Sequence, residues 1–197
     1  MTFARRMVCT LLLVCVGVVP GRTTILAPMD LAELAAGART IVYGRVVDTH
    51  AALIDGRTET AVTLGVPAYL KGEGGREIRF SVPGGQIGRY RTVVVGAPVL
   101  RPGDEVVVFL RGDHSERLSV VGFSQGVLRV VRASAGATPM VLSPPFDRDG
   151  RARRVARGEA TKRFVPLATL VEDVRLLTVG AADRDAHKPG SATTGGR

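Results

Sequence analysis

The chain has 197 residues and a net charge of +9 at neutral pH, carried by 24 arginines and only 3 lysines. Its two cysteines, Cys9 and Cys15, both lie in the N-terminal apolar segment, so the remainder has no disulfide and no thiolate zinc site. The length suffices for one domain whose core must stand without such staples.

Residues 1–21 read as a secretory signal peptide. Arg5 and Arg6 form a basic start, Met7 to Val19 an apolar run, and Val19-Pro20-Gly21 a region of short residues for cleavage. The run is too short for a comfortable membrane span, so no stable span is expected after cleavage. An uncleaved anchor is the competing reading. A lipidated Cys15 is disfavoured because Val14 precedes it where a small residue is expected. The expected location is secreted or periplasmic.

From 22 to 132 the pattern predicts a β-barrel domain, opened by a short helix. Asp30 and Glu33 have capping-box spacing, Leu31, Leu34 and Ala35 share a face, and Gly37 marks a stop. "TIVYGRVVD" (40–48) is rich in β-branched residues. "TETAVTLGVPAYLKG" (58–72) puts Thr60, Val62, Leu64, Val66, Ala68 and Leu70 on one face at period two, with Pro67 signalling an edge or bulge. "EIRFSV" (77–82) alternates with Ile78, Phe80 and Val82 inward. Further strands are predicted at 90–96, 104–112, 117–122 and 126–132, separated by turns such as "RPGD" and "RGDH". The Arg-Gly-Asp at 111–113 is read as a hairpin tip.

Residues 133–163 lose this alternation and are predicted to form an exposed, basic, Pro/Arg-rich excursion. Arg148, Arg151, Arg153, Arg154, Arg157, Lys162 and Arg163 stand there against Asp147, Asp149 and Glu159. Such a segment either contacts a polyanion or is simply solvated. A C-terminal amphipathic helix is expected over 164–179, with Leu167, Leu170, Val171, Val174 and Leu177 at helical spacing and packed on the barrel. Residues 180–197 have the composition of a disordered tail.

The most motif-like stretch is "VPGGQIGRY" (82–90). Gly84, Gly85 and Gly88 suit either an anion-cradling loop or a turn between strands. An anion loop leads from a strand into a helix whose N-terminal amides complete the site. Here a strand pattern follows, without a Lys-Ser/Thr pair, so Pro83, Gly84, Gly85 and Gly88 are read as a structural β-to-β connection. Gln86, Arg89, Tyr90 and Arg91 then stand at the barrel mouth as candidate binding residues.

Catalytic signals are weak. His50, His114 and His187 lie at a strand end, a turn and the tail, with no metal-ligand spacing between them. No serine occupies a Gly-x-Ser-x-Gly elbow. Asp55, Glu59, Glu73, Asp104, Glu105, Asp113 and Glu116 fall on outward faces or turns. No cofactor or metal is expected. Nucleic acid is a poor partner too, because the chain has no Trp and Tyr90, between two arginines, is its one basic-aromatic cluster.

The order "ARTIVYGRVV", a strand ending in "YLKG", "IRFSVPGGQIG", "LRPGDEVVVFL" and "VVGFSQGVLRV" resembles a group of exported bacterial β-barrel proteins. More distantly, it is similar to the netrin-like and tissue-inhibitor-of-metalloproteinases domains, which are OB-type five-stranded barrels. The matching features are Ile41 to Val47, Lys71-Gly72, and Pro102-Gly103 before Val106 to Leu110, within about residues 30–132. The resemblance implies an all-β, OB-type fold with a short N-terminal helix and a C-terminal amphipathic helix. The inhibitors' zinc-chelating N-terminal cysteine has no counterpart outside the signal segment, so that role is not carried over.

The expected function is a non-enzymatic binding module that recognises a protein or an anionic envelope polymer through barrel loops. Regulation of an exported protease is one form it could take. The alternative is a hydrolase whose residues converge only in three dimensions.

Overall fold

The computed structural model describes residues 27–112, 117–144 and 162–186. The expected signal segment, Asp113, His114 and Glu116, His187, and the basic run apart from Lys162 and Arg163 lie outside the described residues.

Helix α1 (Leu31–Gly37) begins where the capping box requires. The Asp30 carboxylate accepts from the Glu33 amide at 2.7 Å, and the Glu33 carboxylate accepts from the Asp30 amide at 2.9 Å. Its carboxyl end is closed by the partly buried Lys71, whose ammonium donates to the carbonyls of Ala35 (2.8 Å) and Ala38 (2.6 Å). A cation there satisfies orphan carbonyls and opposes the helix dipole. The lysine of "YLKG" thus ties the end of a strand to the helix that precedes the sheet.

Strands β1 (Thr40–Ile54) and β2 (Arg57–Lys71) form a long antiparallel hairpin. Asp55 and Gly56, with φ of 50° and 74°, make the two-residue turn whose twist suits such a hairpin. The predicted single face of β2 does not survive intact. Tyr43 pairs with Ala68 and Arg45 with Gly65, so β2 carries an extra residue around Pro67; a second irregularity falls between the pairs Ile41–Lys71 and Val42–Tyr69. Each added residue reverses the alternation. Val62 and Leu64 therefore enter one core, Leu70 enters the other, and Ala68 is exposed. Pro67 sits at the bulge expected of it.

The chain continues through β3 (Glu77–Pro83), β4 (Gly85–Ile87), β5 (Tyr90–Thr92), β6 (Glu105–Arg111), β7 (Ser119–Val120), a 3-10 turn (Phe123–Gly126) and β8 (Val127–Val131). Strand β2 pairs with β3, and β6 pairs with β1, β7 and β8. One parallel pair, Ser81 with Ser119, joins β3 to β7, and the Ser81 amide donates to the Leu118 carbonyl at 2.9 Å. Two expectations need correction. The strand predicted for 90–96 stops at Thr92, because β5 pairs only with the short β4; Val93 and Val95 beyond it are exposed. The excursion predicted for 133–163 contains β9 (Met140–Ser143), which pairs with β8 and with β10 (Arg163–Pro166). These added strands are too short and too far apart in sequence to leave a periodic signal.

Helix α2 (Leu167–Ala186) starts three residues later than expected, after β10, and runs through 180–186, where a tail was predicted. Pro166 closes β10, and the Leu167 amide donates to the Pro139 carbonyl at 2.8 Å. The described fold is thus mostly β-sheet, with two helices.

Strand β6 explains the packing. Val106 to Leu110 are all buried, so this strand is covered on both faces. Val106, Val108 and Leu110 pack with Val42, Val46, Val62, Leu64, Ile78 and Phe80. Val107 and Phe109 face the opposite way, against Leu31 and Leu34 of α1 and Leu170 and Val174 of α2.

Beside this strand, Arg45, Arg132 and the Tyr43 hydroxyl all donate to the largely buried Glu105 carboxylate. Burial pushes that carboxyl upward, but the hydrogen bonds from Arg132 and Arg45, the Arg132 charge and the Tyr43 hydroxyl outweigh it. The carboxyl is held below the ordinary glutamate range. A carboxyl depressed by folding stabilises fully above its unfolded pKa and loses that contribution as pH falls through the native value. Wild type should therefore lose more stability on acidification than Glu105→Gln, read by urea unfolding at neutral pH and at about pH 3. Equal losses in the two proteins would remove Glu105 from the acid response.

Candidate functional site

The glycine stretch forms one wall of a cleft of about 440 Å³. Pro83 ends β3, and the chain then turns sharply onto the outer part of the β1–β2 hairpin. The Gly84 amide donates to the Thr58 carbonyl at 2.8 Å, and the Thr60 hydroxyl donates to the Gly84 carbonyl at 2.7 Å. Gly84 and Gly85 have φ of 88° and 142°, open to glycine at little cost. A Cβ on Gly85 would lie 2.4 Å from the Thr60 hydroxyl and 2.8 Å from the Ala51 methyl. Glycine is needed here so that the β4–β5 ribbon can lie against the hairpin. The Thr92 hydroxyl adds a second tie, donating to that of Thr58 at 3.1 Å.

Three pieces of chain meet around the cleft. The hairpin contributes Thr49, Ala51 and Thr60; the ribbon contributes Gly84, Gly85, Gln86, Arg91 and Thr92. The segment from Val93 to Arg101 supplies the rest, with Val82, Pro98 and Leu100 buried beneath. The floor is aliphatic and the rim is polar and cationic.

Of the residues singled out from sequence, Gln86 and Arg91 line this cleft, as do Pro83, Gly84 and Gly85. Gly88, with φ of 56°, makes the exposed β4–β5 turn, and its carbonyl accepts from the Gln86 side-chain Nε2 at 3.1 Å. Arg89 and Tyr90 lie outside the lining. The Arg89 guanidinium folds over the Tyr90 ring, 5.1 Å from its centroid, and donates to the phenol oxygen at 3.0 Å.

Sequence reasoning missed Arg101, which looked like a turn residue in "RPGD". Its backbone amide donates to the Asp104 carboxylate at 2.9 Å, but that carboxylate is also taken by Arg129 at 2.7 Å. Burial pushes the Asp104 carboxyl upward; the Arg129 hydrogen bond, the Arg101 amide and both guanidinium charges outweigh it and hold it low. Among the described residues, the side chains of Arg91 and Arg101 donate no hydrogen bond, although the Arg101 charge acts on the Asp104 carboxylate. The available signal was charge: between Glu77 and Asp104 there are four arginines and no acidic residue.

The carboxylates considered for catalysis are distributed otherwise. Asp104 and Glu105 are held by arginines, Glu59 pairs with Arg117 at 3.3 Å, and Asp55 forms the hairpin turn. His50 is exposed on β1. Among the described residues, no three His, Cys, Asp or Glu are grouped to hold a metal ion, and no helix is long and apolar enough to cross a membrane. Comparison with protein-family models, curated proteins and solved structures found no match to this chain.

Proposed function

We propose that this chain is a non-enzymatic binding module, secreted or periplasmic, that holds a protein or an anionic envelope polymer in the cleft beside the β4–β5 ribbon. The observation that carries this reading is the cleft's lining. Arg91 and Arg101 stand at its rim, and its described lining holds no carboxylate and no histidine to act as a base; Asp104, which the Arg101 charge reaches, lies outside the lining and is hydrogen-bonded to Arg129. Guanidinium groups whose donors are not taken up by hydrogen bonds, over an aliphatic floor, suit recognition of an anion more than bond cleavage, so the hydrolase alternative gains no support from this cleft.

An OB-type barrel of the netrin-like kind is the architecture we propose to underlie it. Its support is the run of pairings from β1 through β2, β3, β7 and β6 back to β1, including the parallel β3–β7 contact. That fold hosts many functions, so the functional reading rests on the cleft and not on the architecture.

A photo-crosslinking amino acid in place of Val93, which lines the cleft and is 71 % exposed, tests the reading. Incubated with the native envelope and secreted fractions, it should yield a discrete adduct. The same group at Val179 on the outside of α2 should yield none, and Arg91→Glu combined with Arg101→Glu should abolish the Val93 adduct. Capture that is equal at both positions, or that persists in the double variant, would overturn the assignment.

A further inference from the structure

Resting on that reading, we infer that the cleft takes an extended acidic peptide segment, with a carboxylate between Arg91 and Arg101 and a neighbouring aliphatic side chain on the floor. The cationic rim sets the charge of the occupant. Arginine's planar fork matches a carboxylate bidentately, and an arginine whose side-chain donors are not already hydrogen-bonded can give them to a ligand.

The floor sets its shape. Val82, Pro98 and Leu100 are buried aliphatic or ring carbons, and no aromatic side chain is among the lining residues. A pyranose presents a broad apolar face that is best met by a flat π surface, which this cleft lacks. A valine- or leucine-sized side chain needs only an aliphatic concavity, and about 440 Å³ is within the range of ligand clefts.

Two further features favour a macromolecular chain over a free small anion. Val93, Val95 and Val99 are 71 %, 92 % and 56 % exposed on the segment bordering the cleft, an apolar margin beyond what a small anion would cover. Among the described residues, strand β5 pairs with β4 and with no other strand. An extended segment can add main-chain bonds along such an edge while its alternate side chains enter pockets.

The test uses an end-blocked, fluorescein-labelled heptapeptide alternating valine and glutamate, its valine–glutamine counterpart, and a galacturonate oligomer, each titrated by fluorescence anisotropy or competition. The glutamate peptide should bind, and the glutamine peptide should bind about tenfold more weakly or worse. Arg91→Gln and Arg101→Gln should each weaken the glutamate peptide by about tenfold, and added salt should weaken it too. Arg89→Gln, whose guanidinium is folded on Tyr90, should change affinity less than about twofold. Arg89, Arg91 and Arg101 are all exposed, and thermal melts confirm that each variant is folded.

Equal binding of the acidic and amide peptides would overturn the inference. So would an Arg91-dependent galacturonate complex tighter than the peptide, or an Arg89→Gln loss as large as that of Arg91→Gln. Should the peptide fail to bind while the Val93 adduct is still abolished by the double glutamate variant, the peptide inference falls and the binding-module reading stands. An adduct indifferent to that variant removes the binding-module reading itself.

Discussion

Phe109→Ala is expected to lower the unfolding free energy by about 3–5 kcal/mol, a large part of the 5–15 kcal/mol that holds a typical domain together. Phe109 is fully buried on β6, facing Leu31, Leu34, Leu170 and Val174, so its ring joins the sheet to helices from both ends of the described chain. Its carbonyl also accepts from the Val121 amide at 2.9 Å, which holds the backbone in place while the side chain is cut back. A cavity walled by a strand paired on both sides collapses little. Urea denaturation measures the effect, with an unchanged slope against denaturant showing that the loss is one of stability. Val108→Ala, on the opposite face of the same strand, removes fewer carbons and should cost less. A loss below about 1 kcal/mol for Phe109→Ala would mean that the helices do not depend on this face of the sheet.

Gly85→Ala should produce a smaller loss of stability and a larger loss of binding. The added methyl would meet the Thr60 hydroxyl and the Ala51 methyl, and φ of 142° is a conformation that alanine rarely adopts. Strain of this kind costs about 1–3 kcal/mol. The Thr60 hydroxyl is already engaged with the Gly84 carbonyl, so relief comes by moving the β4–β5 ribbon away from the hairpin. That movement displaces Arg91 relative to Arg101. Capture at Val93 and affinity for the acidic peptide should both fall by at least about tenfold, while the thermal transition stays cooperative. Gly88→Ala gives the contrast: its Cβ would meet nothing within 4 Å, so only the strain of its positive φ applies and the cleft is untouched. Wild-type affinity in Gly85→Ala would separate the glycine loop from the binding site.

The parts legible in the sequence are those governed by near neighbours. Asp30 and Glu33 are three residues apart and cap each other whatever lies beyond them. Ile78, Phe80 and Val82 alternate with Arg79 and Ser81 because a strand with one buried face requires it. The stripe of α2 through Leu170 and Val174 follows from helical geometry. Where the chain bulges, this reasoning stops. The period-two set in β2 contained Ala68, but an extra residue near Pro67 turned it outward, and nothing in the residue types fixes which face resumes. Strands β9 and β10 were hidden for a related reason: four residues each, they are strands because they pair with one another and with β8, not because of their own pattern.

The candidate site divides in the same way. The sequence alone suggested that "VPGGQIGRY" leads from strand to strand, since Pro83 cannot donate to a ladder and the glycines permit positive φ; that Gly85–Ile87 within it is itself a strand, and not only a loop, follows from its pairing with β5. The sequence determined that the stretch from Ile78 to Gly103 carries arginines and no acid. Only the tertiary structure decided which arginines matter to the cleft. Arg89 and Arg91 are two residues apart, yet one folds on Tyr90 and the other lines the cleft, and it is Arg101, ten residues on, that joins it. Proximity across a fold depends on strand pairing and on the close approach that Gly85 allows to the β1–β2 hairpin. Both are set by long-range contacts that no local pattern encodes.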